Sequence, residues 1–383
     1  MEFLVSIQAE GREAMNKTEA YLLSVMRGRR GVLPLLLRLL ACVLSWVYIV
    51  GLEVYLSFYK MGIRKRKEFP IPVVSVGNLT TGGTGKTPIT QAIARMLRAH
   101  NRKVVILNRG YRGDNEYGCA IVSDETSVKL TSQQAGDEAF MLASTLPGVP
   151  VVVGKERRFT GEVAIDAFNP DVILLDDGMQ FWQLHRDVEI CLLNACDPFD
   201  NGWTLPRGLL REPAYHIRRA SIVILTHALR AEARQVAALT AKVNLLAPDT
   251  PLFTADLYPI GLRDIKSGKE LPLKALDGQR VIAFSALGNP SSFESMVGEL
   301  GGVLSARHRF RDHHAVTLSE LGEMYSEARA AAAVALVTTE KDAVKLPELE
   351  ADIPIWTVQV EMRLNEPEAF YALLSRLCFS SPK

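Results

Sequence analysis

Hydrophobic and polar positions follow two patterns along this chain. Short apolar runs rich in valine, isoleucine and leucine recur, and the stretches between them place apolar residues three or four positions apart. The first pattern predicts buried strands and the second predicts amphipathic helices. Because the two alternate, the sequence predicts an α/β fold with a mostly parallel sheet that is covered by helices on both faces.

A stretch rich in turn residues divides the predicted strands into two groups. The strands are IPVVSV (71–76), KVVIL (103–107), PVVV (150–153), VILLD (172–176), VEICLL (188–193), SIVIL (221–225), RVIAFSAL (280–287), AVALVTT (333–339) and IPIWTVQV (353–360). Pro248, Pro251, Pro259 and Gly261 lie between the two groups and indicate an extended connector. We expect an N-terminal extension (1–31), an apolar helix (32–60), a first α/β domain (61–250), a linker (251–262) and a smaller second α/β domain (263–383), whose last helix could pack back on the first domain.

Length, charge and cysteine content narrow the class of protein. A chain of 383 residues suits two domains. The net charge of +1 provides no overall field that would attract nucleic acid, so no nucleic-acid partner is expected. The five cysteines are odd in number and form no C-x-x-C pair, which indicates reduced thiols in a cytosolic compartment.

The N-terminal region contains a long apolar run from Val32 to Phe58 in which only Arg38 and Glu53 are charged. Basic residues flank the run on both sides: Arg27, Arg29, Arg30, Lys60, Arg64, Lys65, Arg66 and Lys67. Aromatic residues suited to a membrane interface lie within or beside it: Trp46, Tyr48, Tyr55 and Tyr59. We predict a membrane-associated helix over 32–60 beside an anionic membrane surface. The pattern leaves open whether the helix spans the bilayer or lies in one leaflet, and a long buried helix of a soluble core would also fit.

A glycine-rich segment, VGNLTTGGTGKTPIT (76–90), follows the first predicted strand and precedes a helical pattern. In such a loop, backbone amides surround a phosphate, a lysine reaches the outer phosphates, and a threonine hydroxyl binds Mg²⁺. The G-x-x-x-x-G-K-[ST] pattern expects glycine at position 80, where this chain has threonine. A tight turn with a surface lysine is the alternative. The predicted nucleotide-binding residues are Thr80, Thr81, Gly82, Gly83, Thr84, Gly85, Lys86 and Thr87.

Two adjacent aspartates stand at the end of a predicted strand: Asp176 is the last residue of VILLD, and Asp177 follows it. A carboxylate at the carboxyl end of a buried strand can hold Mg²⁺ beside a phosphate loop. Aspartate also commonly begins a loop after a strand, so this pattern is only moderately specific. With the loop at 76–90 upstream, we favour metal binding.

Three further segments contain candidate chemistry that the pattern alone does not settle. The segment 205–220 groups four arginines around Glu212, which suits phosphate or Mg²⁺ binding but also suits an exposed charged loop: Arg207, Arg211, Arg218 and Arg219. Asp137 lies where a helix is predicted to begin and is most simply an N-cap. His308, Asp312, His313 and His314 invite a metal-binding interpretation without having a specific zinc spacing.

The chain resembles the tetraacyldisaccharide 4′-kinase family, the lipid A 4′-kinases of Gram-negative bacteria. The motifs that carry the resemblance stand in order behind the apolar helix: VGNLTTGGTGKTP, RGYRG, GDE, LDDGMQ, RDVEI, NGWTLPRGLLREP, DHH and TTEKDAVKL. The resemblance implies ATP- and Mg²⁺-dependent phosphorylation of the 4′-hydroxyl of a tetraacylated glucosamine disaccharide 1-phosphate. It also implies two α/β/α domains with the active site between them, and work at the cytoplasmic face of the inner membrane without an obligate protein partner.

The resemblance assigns roles to residues that the pattern left open. It implies that Lys86 and Thr87 act in the phosphate loop, and that Asp137 acts in a catalytic dyad with His313. The implied metal ligands are Thr87, Asp176, Asp177 and Glu212. The implied substrate contacts are Tyr111, Arg157 and Arg211. One departure is Phe181, which follows Gln180 where the family often has histidine.

Two other classes of protein share parts of this pattern. A membrane-associated NTPase that hydrolyses its nucleotide as a switch would need the same loop at 76–90. A membrane-bound interaction protein with a degenerate nucleotide site would keep the fold without needing Asp137 or His313. Formation of a doubly phosphorylated lipid separates both alternatives from the kinase.

Overall fold

The computed structural model describes residues 21–380, apart from 23, 27, 289, 312, 313 and 348–351. Its strands are β1 Val73–Asn78, β2 Val104–Asn108, β3 Ala120–Ser123, β4 Val151–Val153, β5 Val172–Asp176, β6 Val188–Asn194, β7 Ile222–Thr226, β8 Leu252–Asp264, β9 Glu270–Leu271, β10 Arg280–Ser285, β11 Val303–Arg309, β12 Ala335–Thr339 and β13 Ile355–Leu364. The predicted apolar runs all form strands. Four strands, β3, β8, β9 and β11, have no counterpart among the predicted ones.

The helices lie between the strands, as the alternating pattern predicts. They are α1 Val32–Lys60, α2 Lys86–Ala99, α3 Ser132–Ala135, α4 Asp137–Thr145, α5 Arg157–Phe168, α6 Ala233–Leu246, α7 Pro290–Glu299, α8 Leu318–Ala330, α9 Glu340–Ala343 and α10 Pro367–Phe379. Short 3₁₀ helices cover Ala214–Arg219, Ala228–Arg230 and Leu273–Leu276.

One sheet runs through the described part of the molecule. Its strand order is β11-β10-β12-β13-β8-β7-β6-β1-β5-β2-β4-β3, with β9 paired to β8. Neighbouring strands are parallel except for β8 with β13, β8 with β9, and β3 with β4. The mixed, mostly parallel α/β fold expected from the sequence is therefore confirmed, and β1 lies between β5 and β6 with every residue buried.

Strand β8 joins the two groups of strands. Its first residues, Leu252–Ala255, pair in parallel with β7, and the remainder pairs in antiparallel fashion with β13. The predicted linker 251–262 thus forms most of a long strand, and the register shifts where Pro259 lies opposite Val360. The division into two separate domains stays a prediction. We call strands β1 to β7 with their helices the first half. Strands β10 to β12 with their helices form the second half.

The last helix, α10, returns to the first half. Phe370, Leu374 and Cys378 are buried in the same hydrophobic cluster as residues of β1, β6 and β7. The ring of Tyr371 stacks on that of His100 at 3.5 Å between centroids, just beyond the end of α2. The chain therefore crosses between the halves twice, through β8 and through β13 with α10.

The apolar helix α1 lies against the first half along one face. Ser45 Oγ donates to the carbonyl of Thr204 at 2.8 Å, and Tyr48 Oη donates to the carbonyl of Arg211 at 2.6 Å. Further along the helix, Leu56 is buried. Among the described residues, α1 is the one helix long and apolar enough to cross a membrane, and almost none of its apolar window is buried. Apolar side chains exposed along the other face include Leu36, Leu40, Val43, Trp46, Val47, Val50 and Val54.

The packing of α10 predicts different costs for two equal truncations. Leu374 is fully buried, whereas Leu377 on the same helix is 40% exposed. We expect Leu374→Ala to lower the free energy of unfolding by about 2 to 5 kcal/mol, because it leaves a cavity between α10 and the first half. Leu377→Ala should cost well under that amount. Denaturant unfolding of both variants in the same detergent checks this, and equal losses would contradict the observed packing.

Candidate active site

The glycine-rich loop connects the buried end of β1 to the start of α2. Strand β1 ends at Asn78 and α2 begins at Lys86, so the predicted strand-loop-helix order is observed. Gly85, the N-cap of α2, has a φ of 79°, and a Cβ there would lie 3.0 Å from the Met362 side chain. Glycine meets both constraints. The free amides at the helix start and the positive end of its dipole therefore point toward one space, as phosphate binding requires.

The segment after Thr204 holds this loop in shape. The amide of Thr81 donates to the carbonyl of Leu209 at 2.8 Å, and the amide of Arg211 donates to the carbonyl of Leu79 at 2.7 Å. On the opposite side, Thr226 Oγ1 donates to the carbonyl of Thr84 at 3.0 Å. These bonds tie the loop to two other parts of the first half, so its backbone is organised without a ligand.

Asp176 is buried at the carboxyl end of β5. It accepts hydrogen bonds from Thr90 Oγ1 at 3.0 Å and from Asn108 Nδ2 at 2.9 Å. Burial, together with the nearby carboxylates of Glu138 and Asp177, raises the pKa of Asp176 to about 7. A buried carboxylate in this state is stabilised in its charged form by a cation.

Asp177 lies beside the phosphate loop. Its φ of 52° turns the chain sharply, and Gly178 follows where a Cβ would lie 2.6 Å from Ser75 Oγ. Lys86 Nζ is 3.8 Å from Asp177 Oδ1, and Arg211 Nη1 donates to the same oxygen at 2.9 Å. Burial opposes ionisation of Asp177, but Lys86 and Arg211 outweigh it and hold the pKa of Asp177 below its usual value. The structure thus brings together Lys86, Asp177 and Arg211.

The donor set suits Mg²⁺ bound together with phosphates. Thr87 is largely buried in the first turn of α2, next to Lys86. Within the described ranges, no group of three or more histidine, cysteine, aspartate or glutamate side chains is placed to hold a metal. Mg²⁺ commonly binds through one or two carboxylates, waters and substrate phosphates, so Asp176, Asp177 and Thr87 suffice. The unfavourable burial of Asp176 supports the same conclusion.

Glu212 is held away from this group in the structure. Its carboxylate pairs with His216 Nδ1 at 2.6 Å and accepts from Arg219 Nη2 at 2.9 Å. His216 Nε2 in turn lies 2.8 Å from the Glu53 carboxylate of α1. Burial raises the pKa of Glu212, but His216 and Arg219 reverse this and leave the pKa lowered. Coordination of Mg²⁺ by Glu212 stays a prediction.

Asp137 is the first residue of α4. The N-cap residue is Gly136, which has no side chain to cap the helix. The interpretation of Asp137 as an N-cap is therefore wrong. Instead, Asp137 Oδ1 accepts from Ser132 Oγ at 2.9 Å, and Asp137 Oδ2 lies 2.7 Å from Lys345 Nζ of the second half. The predicted partner His313 lies outside the described residues.

Tyr111 and Arg157 flank the site in different environments. The turn containing Tyr111 packs closely on the start of α4, because a Cβ at Gly136 would meet the Tyr111 carbonyl at 2.8 Å. Tyr111 is 48% exposed and lies between Arg109 and Arg112. Arg157 is buried with its guanidinium over the Phe181 ring at 5.5 Å, and burial lowers its pKa to about 10 although Asp177 opposes this.

Four other candidate residues from the sequence, Arg207, Arg218, His308 and His314, contact residues other than Lys86, Asp176 and Asp177. Arg207 donates to the carbonyl of Met26, and Arg218 lies over the Tyr215 ring. His308 pairs with Glu327 at 2.6 Å and His314 with Glu320 at 3.0 Å, both within the second half.

Several residues at the site were not selected from the sequence. Asn108 bonds Asp176, while Asn78 accepts from Lys86 Nζ at 3.4 Å; both end parallel strands. Polar residues at the carboxyl ends of neighbouring strands are a usable signal, because those ends meet at one edge of the sheet. Lys345 carries no such local signal, and only the fold places it against Asp137.

Comparison with known proteins agrees with this geometry. A sequence model of the family described as tetraacyldisaccharide-1-P 4′-kinase matches residues 37–378. The tetraacyldisaccharide 4′-kinase of Geobacter metallireducens is 38% identical over 90% of this chain and 98% of its own length, and that of Syntrophus aciditrophicus is 36% identical over 84% and 91%. The crystal structure of LpxK from Aquifex aeolicus in complex with ATP matches with a TM-score of 0.72 and 30% identity, covering 90% of this chain and all of that one. These matches over most of the chain show that it belongs to the tetraacyldisaccharide 4′-kinase family.

Proposed function

We propose that this protein transfers the γ-phosphoryl group of ATP to the 4′-hydroxyl of a tetraacylated glucosamine disaccharide 1-phosphate, a step of lipid A biosynthesis. The observation that carries the proposal is the meeting of Lys86, on a preformed phosphate loop, with Asp177 at the end of a buried strand. The family membership and the ATP complex of the Aquifex aeolicus relative support the same substrates.

The nucleotide end of the site is formed by the first half. The amides of the loop 80–87 bind the phosphates, and Lys86 offsets charge on the β and γ phosphates. Thr87, Asp176 and Asp177 would hold Mg²⁺, and Glu212 would join them. When bound, Mg²⁺ would supply positive charge that offsets the negative charge of the phosphates.

The acceptor end requires a group that takes one proton. The 4′-oxygen forms a bond to the γ-phosphorus while the bond from that phosphorus to the β,γ-bridging oxygen breaks, and ADP leaves with the electron pair. The hydroxyl proton passes to Asp137, which His313 orients or tunes. Arg157, Arg211 and Tyr111 lie around the site as candidate contacts for the sugar phosphate.

The docking of α1 supports attachment within one leaflet. The helix has 29 residues and is about 43 Å long, and its contacts at Ser45, Tyr48 and Glu53 lie in its middle and second half. A helix crossing the bilayer could not keep these contacts with the polar segment 204–216. We therefore infer that α1 lies along the cytoplasmic surface of the inner membrane with its apolar face in the lipid. The basic residues 64–67 that follow it would meet anionic headgroups.

The central test uses purified protein, Mg-ATP and the 1-phosphorylated disaccharide lipid. We expect a lipid with a second phosphate to form, and Lys86→Ala to abolish its formation while the protein remains folded, because charge stabilisation and not packing is lost. Product mass and a thermal melt are the two measurements. ATP hydrolysis without lipid product would indicate the nucleotide switch instead, and wild-type-like turnover by Lys86→Ala would reject the loop assignment.

A second test concerns the proposed dyad. Asp137→Ala and His313→Ala should each lower kcat greatly, and the double variant should be little worse than the poorer single variant, because residues acting as a unit are not additive. The KM for ATP should change little, since Lys86, Thr87, Asp176 and Asp177 are the residues proposed to hold the nucleotide and its metal. Kinetics and thermal melts are measured on the same four proteins. Losses in kcat that multiply, or a loss of stability without a loss of rate, would contradict the dyad.

The third test concerns α1. Full-length protein should sediment with membranes and need detergent for release, because the exposed face of α1 is apolar. Replacing Val43, Val47 and Val54 by serine should release part of it, whereas Arg98→Ser, far along the chain on α2, serves as the control. Recovery of the wild-type protein in a detergent-free high-speed supernatant would overturn membrane attachment.

A further inference from the structure

Lys345 is a buried cation from the second half that reaches the first half at the proposed acceptor base. Its side chain is only 8% exposed, and Nζ lies 2.7 Å from Asp137 Oδ2. Asp137 is the one anionic partner of Lys345 among the described residues, and the contact lacks the alignment of a hydrogen bond. An ammonium has three N–H groups, so a buried one beside a single carboxylate is suited to a further anionic ligand.

The position of Lys345 is fixed by the backbone around it. It follows α9, whose N-cap Thr339 accepts from the amide of Asp342 at 3.2 Å. The Asp342 carboxylate accepts from the amide of Ala286, at the end of β10, at 3.0 Å. The amide of Lys345 donates to the Asp342 carbonyl at 3.1 Å. The lysine therefore extends from a turn that is bonded to the sheet of the second half.

The point that Lys345 reaches is close to the nucleotide site. Asn108 donates to Asp176 through Nδ2 and accepts from the amide of Gly110 through Oδ1 at 2.8 Å. A Cβ at Gly136 would lie 3.0 Å from the Gly110 carbonyl carbon, so this turn touches the start of α4. Helices α4 and α2 are also bonded, through Gln91 Nε2 and Thr145 Oγ1 at 2.6 Å. The turn at Gly110 thus connects Asp176 to the start of α4, where Asp137 and Lys345 meet.

We propose that Lys345 is a catalytic residue whose ammonium binds an oxygen of the transferred phosphoryl group. The inference rests on the proposed function. During transfer, charge spreads over the three equatorial oxygens of that group, and a cation placed there lowers the barrier. Asp137, 2.7 Å from Lys345, accepts the proton from the attacking hydroxyl, so the ammonium next to it lies near the bond that forms. Lys86 serves the nucleotide side of the same group and Lys345 serves its acceptor side.

This assignment explains why the second half is needed for chemistry. The loop, the acidic pair and Asp137 all belong to the first half, and Lys345 is contributed across the boundary. Transfer would then proceed only while the two halves are in contact, which restricts loss of the phosphoryl group to water when the site is open.

The test compares Lys345→Met, Lys345→Gln and Lys345→Arg with the wild type and with Lys266→Met, a control at an exposed lysine between β8 and β9. We expect Lys345→Met to lower kcat for lipid phosphorylation about 100-fold, with partial recovery in Lys345→Arg. It should also weaken binding of the non-hydrolysable analogue AMP-PNP about tenfold, while ADP binding is unchanged, because only AMP-PNP carries the outer phosphate. Lys266→Met should behave as the wild type. The glutamine variant provides a second uncharged protein, and melts verify the folding of each.

Three results are decisive. A kcat for Lys345→Met and Lys345→Gln near that of the wild type would overturn the proposal. A large fall in kcat with equal effects on AMP-PNP and ADP would also overturn it, since Lys345 would then act through Asp137 alone. If the wild-type protein makes no lipid product, the proposed function and the catalytic role of Lys345 in it are both rejected, and a selective loss of AMP-PNP binding would then show only a contact of Lys345 with the outer phosphate.

Discussion

The antiparallel pairing of β8 with β13 is the constraint on which the molecule depends. The two strands pair from Asp264 with Trp356 to Ala255 with Leu364, so one ladder carries the chain out to the second half and back. Because β8 also pairs with β7, the ladder makes both halves part of the same sheet. Contacts such as Arg95 to Glu361 at 3.7 Å then connect α2, the helix of the phosphate loop, to the returning strand.

Charge at the carboxyl ends of the strands is the second organising factor. Asp176 and Asp177 differ by one position but have opposite pKa shifts, because Asp176 is surrounded by buried structure and carboxylates whereas Asp177 faces Lys86 and Arg211. In this arrangement Lys86 and Arg211 stabilise the charged form of Asp177, whereas the charged form of Asp176 is left to be stabilised by a bound cation. The same sheet edge therefore provides residues for nucleotide binding and depends on the cation that is bound together with the nucleotide.

Much of the fold could be predicted because buried parallel strands are continuous apolar runs, and β1 and β5 are of this kind. Strand β8 was harder, since Pro259 and Gly261 indicate a connector; the strand tolerates them at the shift in register beside Val360. Strand β11 has the sequence VLSARHR, which ends in three basic residues, and it exposes every second position, so its sequence does not resemble that of a buried strand.

The residues of the site also differ in how far the sequence predicts their contacts. Lys86, Asp176 and Asp177 are local to a loop and a strand end, and the sequence predicts their meeting. The role of Glu212 as an Mg²⁺ ligand stays a prediction, and its bonds to His216 and Arg219 depend on a 3₁₀ turn that has no clear sequence pattern. The contact of Lys345 with Asp137 joins positions more than 200 residues apart, and a lysine in a short motif gives no sign of burial.

The contacts of α1 have a kinetic consequence. Tyr48 of α1 donates to the carbonyl of Arg211, whose side chain bonds Asp177, so α1 and the site are separated by one residue. In the proposed placement of α1 in the lipid, the site would stay at a fixed height above the headgroups, and enzyme and acceptor would meet by diffusing in two dimensions. The relevant acceptor concentration is then its mole fraction in the surface: dilution of the acceptor with inert lipid slows the enzyme even when the amount per volume is constant.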